Sequence, residues 1–323
     1  MSILITGGAG FIGSHMTEWL LRETQDELVI IDDFNAYYDP RLKRANAALL
    51  SREERVTIVE GDYRDLQLVR PIFAERGIQA VCHMGGSPGV PISVKKPLDT
   101  ADNNFRGTLT LLEASREYPV KRFLFASSST VYGRGANAPF VEDAPLGIPA
   151  SPYGASKRAA ELMGLTYHQL YRVPFVGLRF FNVYGPRLRP ELALAAFTQK
   201  ILAGEPLTLY GDGSVLRDFT HVSDICRGIG AALTAPDIEG ECINLGSDRP
   251  ISVRRLIDLI ELAAGRSANI QYLAPRAEDL PFTHASLEKA RRLLQYEARV
   301  PIEQGVQEYV AWVRHTMSAS SDT

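Results

Sequence analysis

The stretch "ILITGGAGFIGSHMTEWLL" (residues 3–21) places three glycines between an apolar run and an amphipathic helical pattern. Gly7, Gly10 and Gly13 have the spacing G-x-x-G-x-x-G, with Phe11 and Ile12 between the last two. Glycine lets the backbone turn tightly and approach a pyrophosphate, whose charge then meets N–H groups at a helix N-terminus. The stretch therefore predicts a strand, a dinucleotide-binding loop formed by these five residues, and a helix.

The second apolar run, "LVIID" (28–32), ends in Asp32, about 20 residues beyond the loop. A carboxylate at this place can accept hydrogen bonds from both hydroxyls of an adenosine ribose and repels a 2'-phosphate. NAD is therefore favoured over NADP, and Asp33 is expected to be a solvated loop acid. Asp62, at the end of the third run, is a candidate for the adenine amino group, with a turn-forming role as the alternative.

Short apolar runs alternate with helical patterns through the first half of the chain. Continuous apolar runs separated by helices are typical of a parallel sheet that is covered on both faces. The fold class is therefore predicted as α/β, a Rossmann-type doubly wound parallel sheet. The predicted strands are 3–6, 27–32, 56–62, 80–85, 122–129 and 175–182.

The regular alternation ends after Asn182, where Gly and Pro interrupt the pattern, and this predicts a smaller mixed α/β lobe that binds the substrate. The small, polar end "SASSDT" (318–323) is typical of a disordered terminus. The predicted boundaries are 1–180 for the NAD-binding domain with 218–247 returning to it, 181–217 and 248–315 for the lobe, and 316–323 for a disordered tail.

Composition excludes several classes of function. The net charge is -3 and no basic block is present, so nucleic acid is not an expected partner. No apolar stretch approaches the roughly 18 residues of a membrane-spanning helix, and the N-terminus lacks signal-peptide features, so a cytoplasmic protein is expected. Cys82, Cys226 and Cys242 lack metal-binding spacing; they are predicted to be core residues, and no metal is expected.

The stretch "SPYGASK" (151–157) suggests catalysis. Ser151 is a good helix N-cap, and Tyr153 and Lys157 then lie one turn apart on one helix face. A free tyrosine titrates well above neutral pH, so a catalytic base needs a lowered pKa, which the lysine and the positive ring of NAD⁺ can provide. Such pairs are common on surface helices, but the glycine loop and the serine-rich "SSSTVYG" (127–133) favour catalysis.

Taken together, the motifs resemble the nucleotide-sugar epimerases of the extended short-chain dehydrogenase/reductase superfamily over essentially the whole chain. The resemblance implies that Tyr153 is the base, that Lys157 holds the nicotinamide ribose, and that Ser128 binds the reacting sugar hydroxyl. The motifs that carry it are "TGGAGFIGSH", "SSSTVYG", "SPYGASK", "LRFFNVYGPR", "LYGDGSVLRDFTHVSD" and "EDLPFTHAS".

The resemblance also assigns residues to the cofactor and to a UDP-sugar. Arg217, in "VLRDF", suits a diphosphate on physical grounds as well, with a surface salt bridge to Asp218 as the alternative. The assignments are Asn103, Gly85 and Gly86 to NAD, Asn182 and Arg217 to the diphosphate, and Asp279 to the uridine ribose, with Arg276 as a further candidate.

Ser128 is followed by Ser129 and Thr130. In the related 4,6-dehydratases and UDP-glucuronate decarboxylases the third position of this trio is an acid, whereas Thr130 cannot shuttle a proton near neutral pH. The trio therefore favours reversible epimerisation at C4, with transient hydride transfer to tightly bound NAD through a 4-keto sugar.

Two segments, 32–46 and 189–198, resemble UDP-glucuronate 4-epimerase more than UDP-galactose 4-epimerase. That family implies contacts of Arg189, Thr130 and Ser129 with the sugar carboxylate. Asn182 departs from it, because those enzymes commonly carry Thr there, and so does Pro91, where they commonly carry Arg. UDP-glucuronate is therefore the first expected substrate, with UDP-glucose or UDP-N-acetylglucosamine as the alternative.

Three further alternatives remain: a UDP-glucuronate decarboxylase, a 4-keto-sugar reductase and a non-catalytic NAD-binding protein. Helical patterns near 101–117 and 153–172 have partly apolar outer faces. The superfamily uses the matching helices in a four-helix dimer interface, which implies a homodimer.

Overall fold

A central sheet of seven parallel strands organises the part of the chain described by a computed structural model, residues 1–275 and 282–321. Its strands are β1 (Ser2–Thr6), β2 (Glu27–Asp32), β3 (Val56–Glu60), β4 (Ala80–His83), β5 (Arg122–Ser128), β6 (Phe175–Phe180) and, after four short strands, β11 (Cys242–Leu245). The order across the sheet is β11-β6-β5-β4-β1-β2-β3, and every neighbouring pair is parallel. The predicted α/β doubly wound fold is confirmed.

Helices cover both faces of this sheet, and the strand sequences show why. Ile3 and Ile5 of β1 pack into one apolar core together with Ile30 of β2. Leu4 and Val29, which alternate with them, pack into a second core on the opposite face. Because both faces are buried, the strands need apolar side chains at successive positions rather than at every second one.

The helices mostly lie between consecutive strands. A π-helical turn (Asp102–Arg106) precedes α6, and a 3₁₀ turn (Ser129–Tyr132) follows β5. The α-helices are α1 (Phe11–Glu23), α2 (Pro40–Leu50), α3 (Leu66–Arg76), α4 (Val90–Lys95), α5 (Pro97–Ala101), α6 (Gly107–Glu117), α7 (Pro152–Tyr171), α8 (Ala193–Ala203), α9 (Val222–Thr234), α10 (Val253–Ala264), α11 (Glu288–Leu294) and α12 (Ile302–Ser321).

Short strand pairs and helices form the remaining lobe. Here α10 packs against both α8 and α12. Between α8 and α10 the chain returns to the central domain, because α9 packs against α1 and β11 pairs with β6. The short strands are β7 (Asn182–Tyr184) paired with β10 (Phe219–His221), β8 (Pro206–Tyr210) paired with β13 (Asn269–Leu273), and β9 (Leu216–Arg217) paired with β12 (Ile251–Ser252).

The C-terminal helix α12 continues to Ser321, beyond position 316 where a disordered tail is predicted. The segment contains no Gly or Pro that would stop a helix, and Thr316 donates a hydrogen bond to the Trp312 carbonyl at 3.1 Å. Residues 322–323 lie outside the described residues. Among the described helices, none has the length and apolar character to cross a membrane.

The three cysteines are buried and unbridged, as the sequence predicts. Burial raises the pKa of each thiol, so none of them is a thiolate at neutral pH. In the described part of the chain, no group of His, Cys, Asp or Glu side chains could hold a metal ion.

Candidate functional site

A cleft of about 890 Å³ lies at the carboxyl ends of the sheet strands and extends to the second lobe. Strand order reverses where β1 lies between β4 and β2, which is where open α/β sheets bind ligands. Predicted residues from distant parts of the chain meet there. Those that line it are Gly7, Gly10, Phe11, Ile12, Gly13, Asp32, Gly85, Gly86, Asn103, Ser128, Ser129, Thr130, Tyr153, Lys157, Asn182, Arg189 and Arg217.

Three of the predicted site residues are not among those that line the cleft. Arg276 and Asp279 lie outside the described residues. Asp62 is absent from the lining of the cleft, and its carboxylate accepts hydrogen bonds from the Arg64 backbone N–H at 2.8 Å and from the Arg64 guanidinium. A side chain that accepts from the backbone two residues on is the turn-forming role that the sequence left as the alternative.

The glycine loop is closely packed. A Cβ on Gly13 would lie 2.2 Å from the Gly7 carbonyl oxygen and 2.7 Å from the Gly8 Cα. Gly7 has φ +64°, and a Cβ there would lie 2.7 Å from the Gly85 Cα. These positions therefore need glycine for backbone contact between β1, α1 and the loop after β4, and the contact keeps the N-terminus of α1 at the cleft.

A single added methyl group tests this packing. We expect Gly13→Ala to weaken NAD binding on the order of tenfold or more, because the clashing atoms belong to the backbone and overpacking costs about 1–3 kcal/mol. The measurement is NAD content after purification and NAD titration of the stripped protein. The matched control is Gly265→Ala, where φ is +61° and no atom lies within 4 Å of the added Cβ. Equal NAD binding by the two variants would contradict the packing role.

Asp32 is buried at the end of β2 and is held by the backbone. Its Oδ2 accepts from the Ala9 N–H at 3.2 Å and its Oδ1 from the Phe34 N–H at 2.9 Å. Burial raises the pKa of this carboxyl, while the Lys43 ammonium, 3.8 Å away and also buried, opposes that shift. Asp32 is thus a fixed acceptor, and Lys43 is a site residue that the sequence did not reveal, because its approach depends on how α2 packs.

The catalytic pair lies at the start of α7. Ser151 caps the helix, accepting from the Gly154 N–H at 3.2 Å. Lys157 is buried; its ammonium donates to the Ala126 carbonyl at 2.8 Å and lies 4.7 Å from the centre of the Phe125 ring. Burial lowers the pKa of Lys157 to about 7, and the charge of Glu161 opposes this. Burial thus disfavours the charged form of Lys157, and the neighbouring carboxylate favours it.

The pKa of Tyr153 is shifted upward, whereas that of Lys157 is shifted downward. Burial raises the pKa of its hydroxyl, while a hydrogen bond with Ser128 and the charge of Arg189 lower it. Ser128 and Arg189 are the groups that lower this pKa in this structure, and the predicted contribution of Lys157 beside a bound nicotinamide stays a prediction. Positive charge in the cleft thus favours the tyrosinate that a catalytic base requires.

Ser128 ends β5 and is oriented by its neighbour. Its Oγ accepts from the Thr130 N–H at 3.2 Å and from the Thr130 hydroxyl at 2.9 Å. These bonds occupy both acceptor positions of the Ser128 oxygen, so its own proton is directed to a third partner, the Tyr153 hydroxyl. Thr130 therefore fixes the proton of Ser128 toward the place where the base lies.

The far end of the cleft is rich in charge. Arg189 pairs with Glu191 at 2.7 Å, and its guanidinium lies 5.6 Å from the centre of the Tyr37 ring. Asn182 accepts from the Thr283 hydroxyl at 3.2 Å. Tyr37, Glu191 and Thr283 also line the cleft; each lies in a stretch that carries the resemblance, but none of them was predicted to be a site residue.

Arg217 lines the same cleft, and its guanidinium donates to the Leu216 carbonyl at 3.0 Å. The carboxylate of Asp218 is buried and accepts from the backbone N–H groups of Ser247 at 2.7 Å and Ala285 at 3.0 Å. Asp218 thus ties the lobe together through the backbone, and the alternative role of Arg217 as its surface salt-bridge partner is not observed.

A buried ion pair links the strands and the helix that carry Ser128, Tyr153 and Lys157. Arg179 of β6 contacts both carboxylate oxygens of Glu161, each at 3.0 Å. Ser127, next to Ser128, donates to Glu161 at 2.6 Å. Glu161 follows Lys157 by one turn of α7, so the pair joins β5, β6 and α7 directly beneath the reacting groups.

The sequence is similar to a family of NAD-dependent enzymes and to several individual members of it. The sequence model of the NAD dependent epimerase/dehydratase family matches residues 3–246. A UDP-glucuronate 4-epimerase from Thermodesulfobacterium geofontis is 37% identical over 315 residues, which cover 97% of this chain and 96% of that protein. The Arabidopsis thaliana UDP-glucuronate 4-epimerase 4 is 37% identical over 97% of this chain and 75% of its own length.

Among solved structures, the Bacillus cereus UDP-glucuronic acid 4-epimerase in complex with UDP-glucuronic acid and NAD superimposes with a TM-score of 0.92. It is 35% identical, and the match covers 98% of this chain and 100% of that one. A UDP-glucose 4-epimerase from Thermotoga maritima, solved with UDP-glucose, has a TM-score of 0.90 at 30% identity, covering 98% and 100% of the two chains.

Proposed function

The chain belongs to the NAD dependent epimerase/dehydratase family, and from this premise we propose that it interconverts UDP-glucuronate and UDP-galacturonate by epimerisation at C4. One observation carries the proposal: Ser128, Tyr153 and Lys157 meet in the cleft that also contains the Arg189 cation. The names of the similar proteins support the same substrate. The enzyme class is that of an NAD-dependent nucleotide-sugar epimerase.

The residues of the cleft fit NAD. Asp32 presents a fixed carboxylate for the adenosine ribose, and the glycine loop brings backbone N–H groups to the pyrophosphate. A Cβ on Gly86 would lie 3.3 Å from the Lys157 ammonium, so glycine keeps this space open beside the catalytic lysine. Asn103 and Gly85 complete the set that would hold the cofactor. When bound, NAD supplies the hydride acceptor and donor for C4 of the sugar.

Tyr153 is the proposed acid–base residue. In the forward direction its oxygen takes the proton of the C4 hydroxyl as the C4–H hydride departs, which leaves a 4-keto sugar. After the sugar presents its other face, the hydride returns to C4 and Tyr153 returns the proton to O4. Ser128, which is oriented by Thr130 and donates to Tyr153 in this structure, would turn its proton to the sugar oxygen when the substrate is bound, and the Arg189 charge favours the tyrosinate.

An enzyme that epimerises UDP-glucuronate must keep the C6 carboxylate on the sugar. The 4-keto form of glucuronate is a β-keto acid, which loses CO₂ when the carboxylate bond turns perpendicular to the carbonyl. Arg189 would restrain that rotation with paired donors. Thr130 provides no acid at the place where decarboxylases carry one, and its hydroxyl donates to Ser128 in this structure, which leaves Arg189 and Ser129 as donors to the carboxylate.

Separate incubations with UDP-glucuronate, UDP-glucose and UDP-N-acetylglucosamine test the function. We expect UDP-galacturonate from the first, with inverted C4 by NMR, no CO₂ and no net consumption of NADH. Release of CO₂ with a UDP-xylose-type product would instead indicate a decarboxylase. Net NADH consumption would indicate a 4-keto-sugar reductase, and absence of any turnover a non-catalytic NAD-binding protein.

Removal of the Arg189 side chain tests the choice of sugar. We expect Arg189→Ala to raise KM for UDP-glucuronate about 10–100-fold, because a hydrogen-bonded charge pair contributes about 1.5–3 kcal/mol. KM for UDP-glucose should change much less, so the preference for the acidic sugar disappears. Arg70→Ala, on the outer surface of α3, is the control. Unchanged selectivity of Arg189→Ala would remove Arg189 from the substrate contacts.

A second candidate substrate, UDP-glucose, is favoured by one observation. The cleft lining has Pro91 where glucuronate enzymes commonly carry Arg, so one cation of that site is missing. UDP-glucose and UDP-N-acetylglucosamine therefore remain the alternative substrates for the incubations above.

We also propose a cytoplasmic homodimer. Its support is that α6 and α7 pack side by side and that α7 exposes Leu162 and Leu170, 58% and 66% accessible. A homodimer would cover these side chains with the same helices of a second copy. Sedimentation of the purified protein tests this, and a monomer at micromolar concentration would contradict it.

A further inference from the structure

The ion pair between Arg189 and Glu191 lies within the cleft rather than on an outer surface. We infer that Glu191 is a specificity-determining residue, an internal anion that competes with the carboxylate of an acidic sugar for Arg189. The inference rests on the proposed function. It adds that an acidic sugar must displace Glu191 to reach Arg189, whereas a neutral sugar leaves the pair in place.

The contact between Arg189 and Glu191 has a geometry that a substrate carboxylate could improve on. Nη1 of Arg189 lies 2.7 Å from Oε1 of Glu191, yet this buried nitrogen makes no hydrogen bond within the described residues. The N–H groups are therefore not aimed at the carboxylate, and the contact lacks the paired, parallel hydrogen bonds that make an Arg–carboxylate pair strong. A substrate carboxylate that reaches the guanidinium in that arrangement forms the better pair.

The side chains of Arg189 and Glu191 differ in how firmly their surroundings hold them. The Arg189 side chain is 13% exposed and lies against the ring of Tyr37, whose hydroxyl donates to the Pro88 carbonyl. Glu191 is 40% exposed, so it can turn toward solvent more easily than the more deeply buried Arg189. Arg189 is thus the fixed member of the pair, and Glu191 is the one that gives way.

Both charges act on groups inside the cleft. Burial raises the pKa of Tyr37, the Arg189 charge lowers it, and the Glu191 charge raises it again. Tyr38, which also lines the cleft, has its pKa raised by burial and by Asp32, lowered by Arg189 and raised by Glu191. The cleft therefore contains an anion close to the cation that the sugar carboxylate would use, and Pro91 supplies no charge in compensation.

The change Glu191→Gln removes the charge and keeps the shape. We expect KM for UDP-glucuronate to fall about tenfold relative to KM for UDP-glucose, since the sugar carboxylate no longer has to displace an anion from Arg189. In the Arg189→Ala background, the same change should alter the KM ratio less than threefold, because the competition is for Arg189. Glu75→Gln, on the exposed side of α3, is the control and should leave the ratio unchanged.

Calorimetric titration with UDP-glucuronate and UDP-glucose separates the possible failures, since it needs no turnover. Tighter binding of UDP-glucuronate by Glu191→Gln than by the unaltered protein supports the inference. If the unaltered protein epimerises UDP-glucuronate and Glu191→Gln shows the same ratio of affinities, the inference is overturned and the function stands. If neither protein binds UDP-glucuronate, the inference and the proposed function are both overturned.

Discussion

Replacement of Tyr153 with Phe is expected to reduce kcat for epimerisation by about 10²–10⁴, the usual contribution of a positioned acid or base. The change removes only the hydroxyl, which is the atom that takes the O4 proton and contacts Ser128. Without it, the hydride cannot leave C4 unless water accepts the proton. The rate is measured by NMR of the UDP-sugar in the presence of saturating NAD.

The control for Tyr153→Phe is Tyr272→Phe, which removes the same atom from an exposed ring of β13. Both variants should retain NAD and unfold at the temperature of the unaltered protein, because neither loses buried apolar surface. KM for the UDP-sugar should change far less than kcat, since the hydroxyl acts on the reacting atoms. A Tyr153→Phe enzyme that keeps more than about a tenth of the rate would eliminate Tyr153 as the base.

The fold could be predicted because its determinants are local. The central strand β1 is buried on both faces, so Ile3, Leu4 and Ile5 appear as an unbroken apolar run in the sequence. The spacing of the glycine loop is equally local, because Gly7, Gly10 and Gly13 lie within one strand–turn–helix unit, although Gly7 also packs against Gly85 from the loop after β4. Tyr153 and Lys157 lie one helical turn apart, so their common face follows from their spacing alone.

The rest of the site depends on contacts between segments that sequence spacing does not specify. Lys43 reaches Asp32 only because α2 packs beside the glycine loop. Thr283 contacts Asn182 across 101 residues, and neither residue belongs to a pattern that predicts the other. The predicted effect of Lys157 on the pKa of Tyr153 stays a prediction, because it requires a bound nicotinamide; in this structure the Lys157 ammonium donates to the Ala126 carbonyl.

The buried ion pair between Glu161 and Arg179 was also not predicted from the sequence. Its disruption should lower the stability of the fold more than any of the other substitutions. We expect Glu161→Ala to lower the free energy of unfolding by about 3–5 kcal/mol. Both side chains are almost inaccessible, at 3% exposed for Glu161 and 5% for Arg179, so the Arg179 charge would stay buried without a counter-charge. Ser127 would lose its acceptor as well. Chemical denaturation at fixed NAD concentration measures the change.

The matched control is Glu117→Ala. Glu117 also pairs with an arginine, Arg70 at 2.6 Å, but both side chains are partly exposed, so solvent replaces the lost contact and the expected loss of stability is much smaller than for Glu161→Ala. If Glu161→Ala fails to fold, the double change Glu161→Leu with Arg179→Met remains informative. It removes both charges, so it should recover much of the lost stability. Equal stability of Glu161→Ala and Glu117→Ala would show that the buried charge is compensated by other groups.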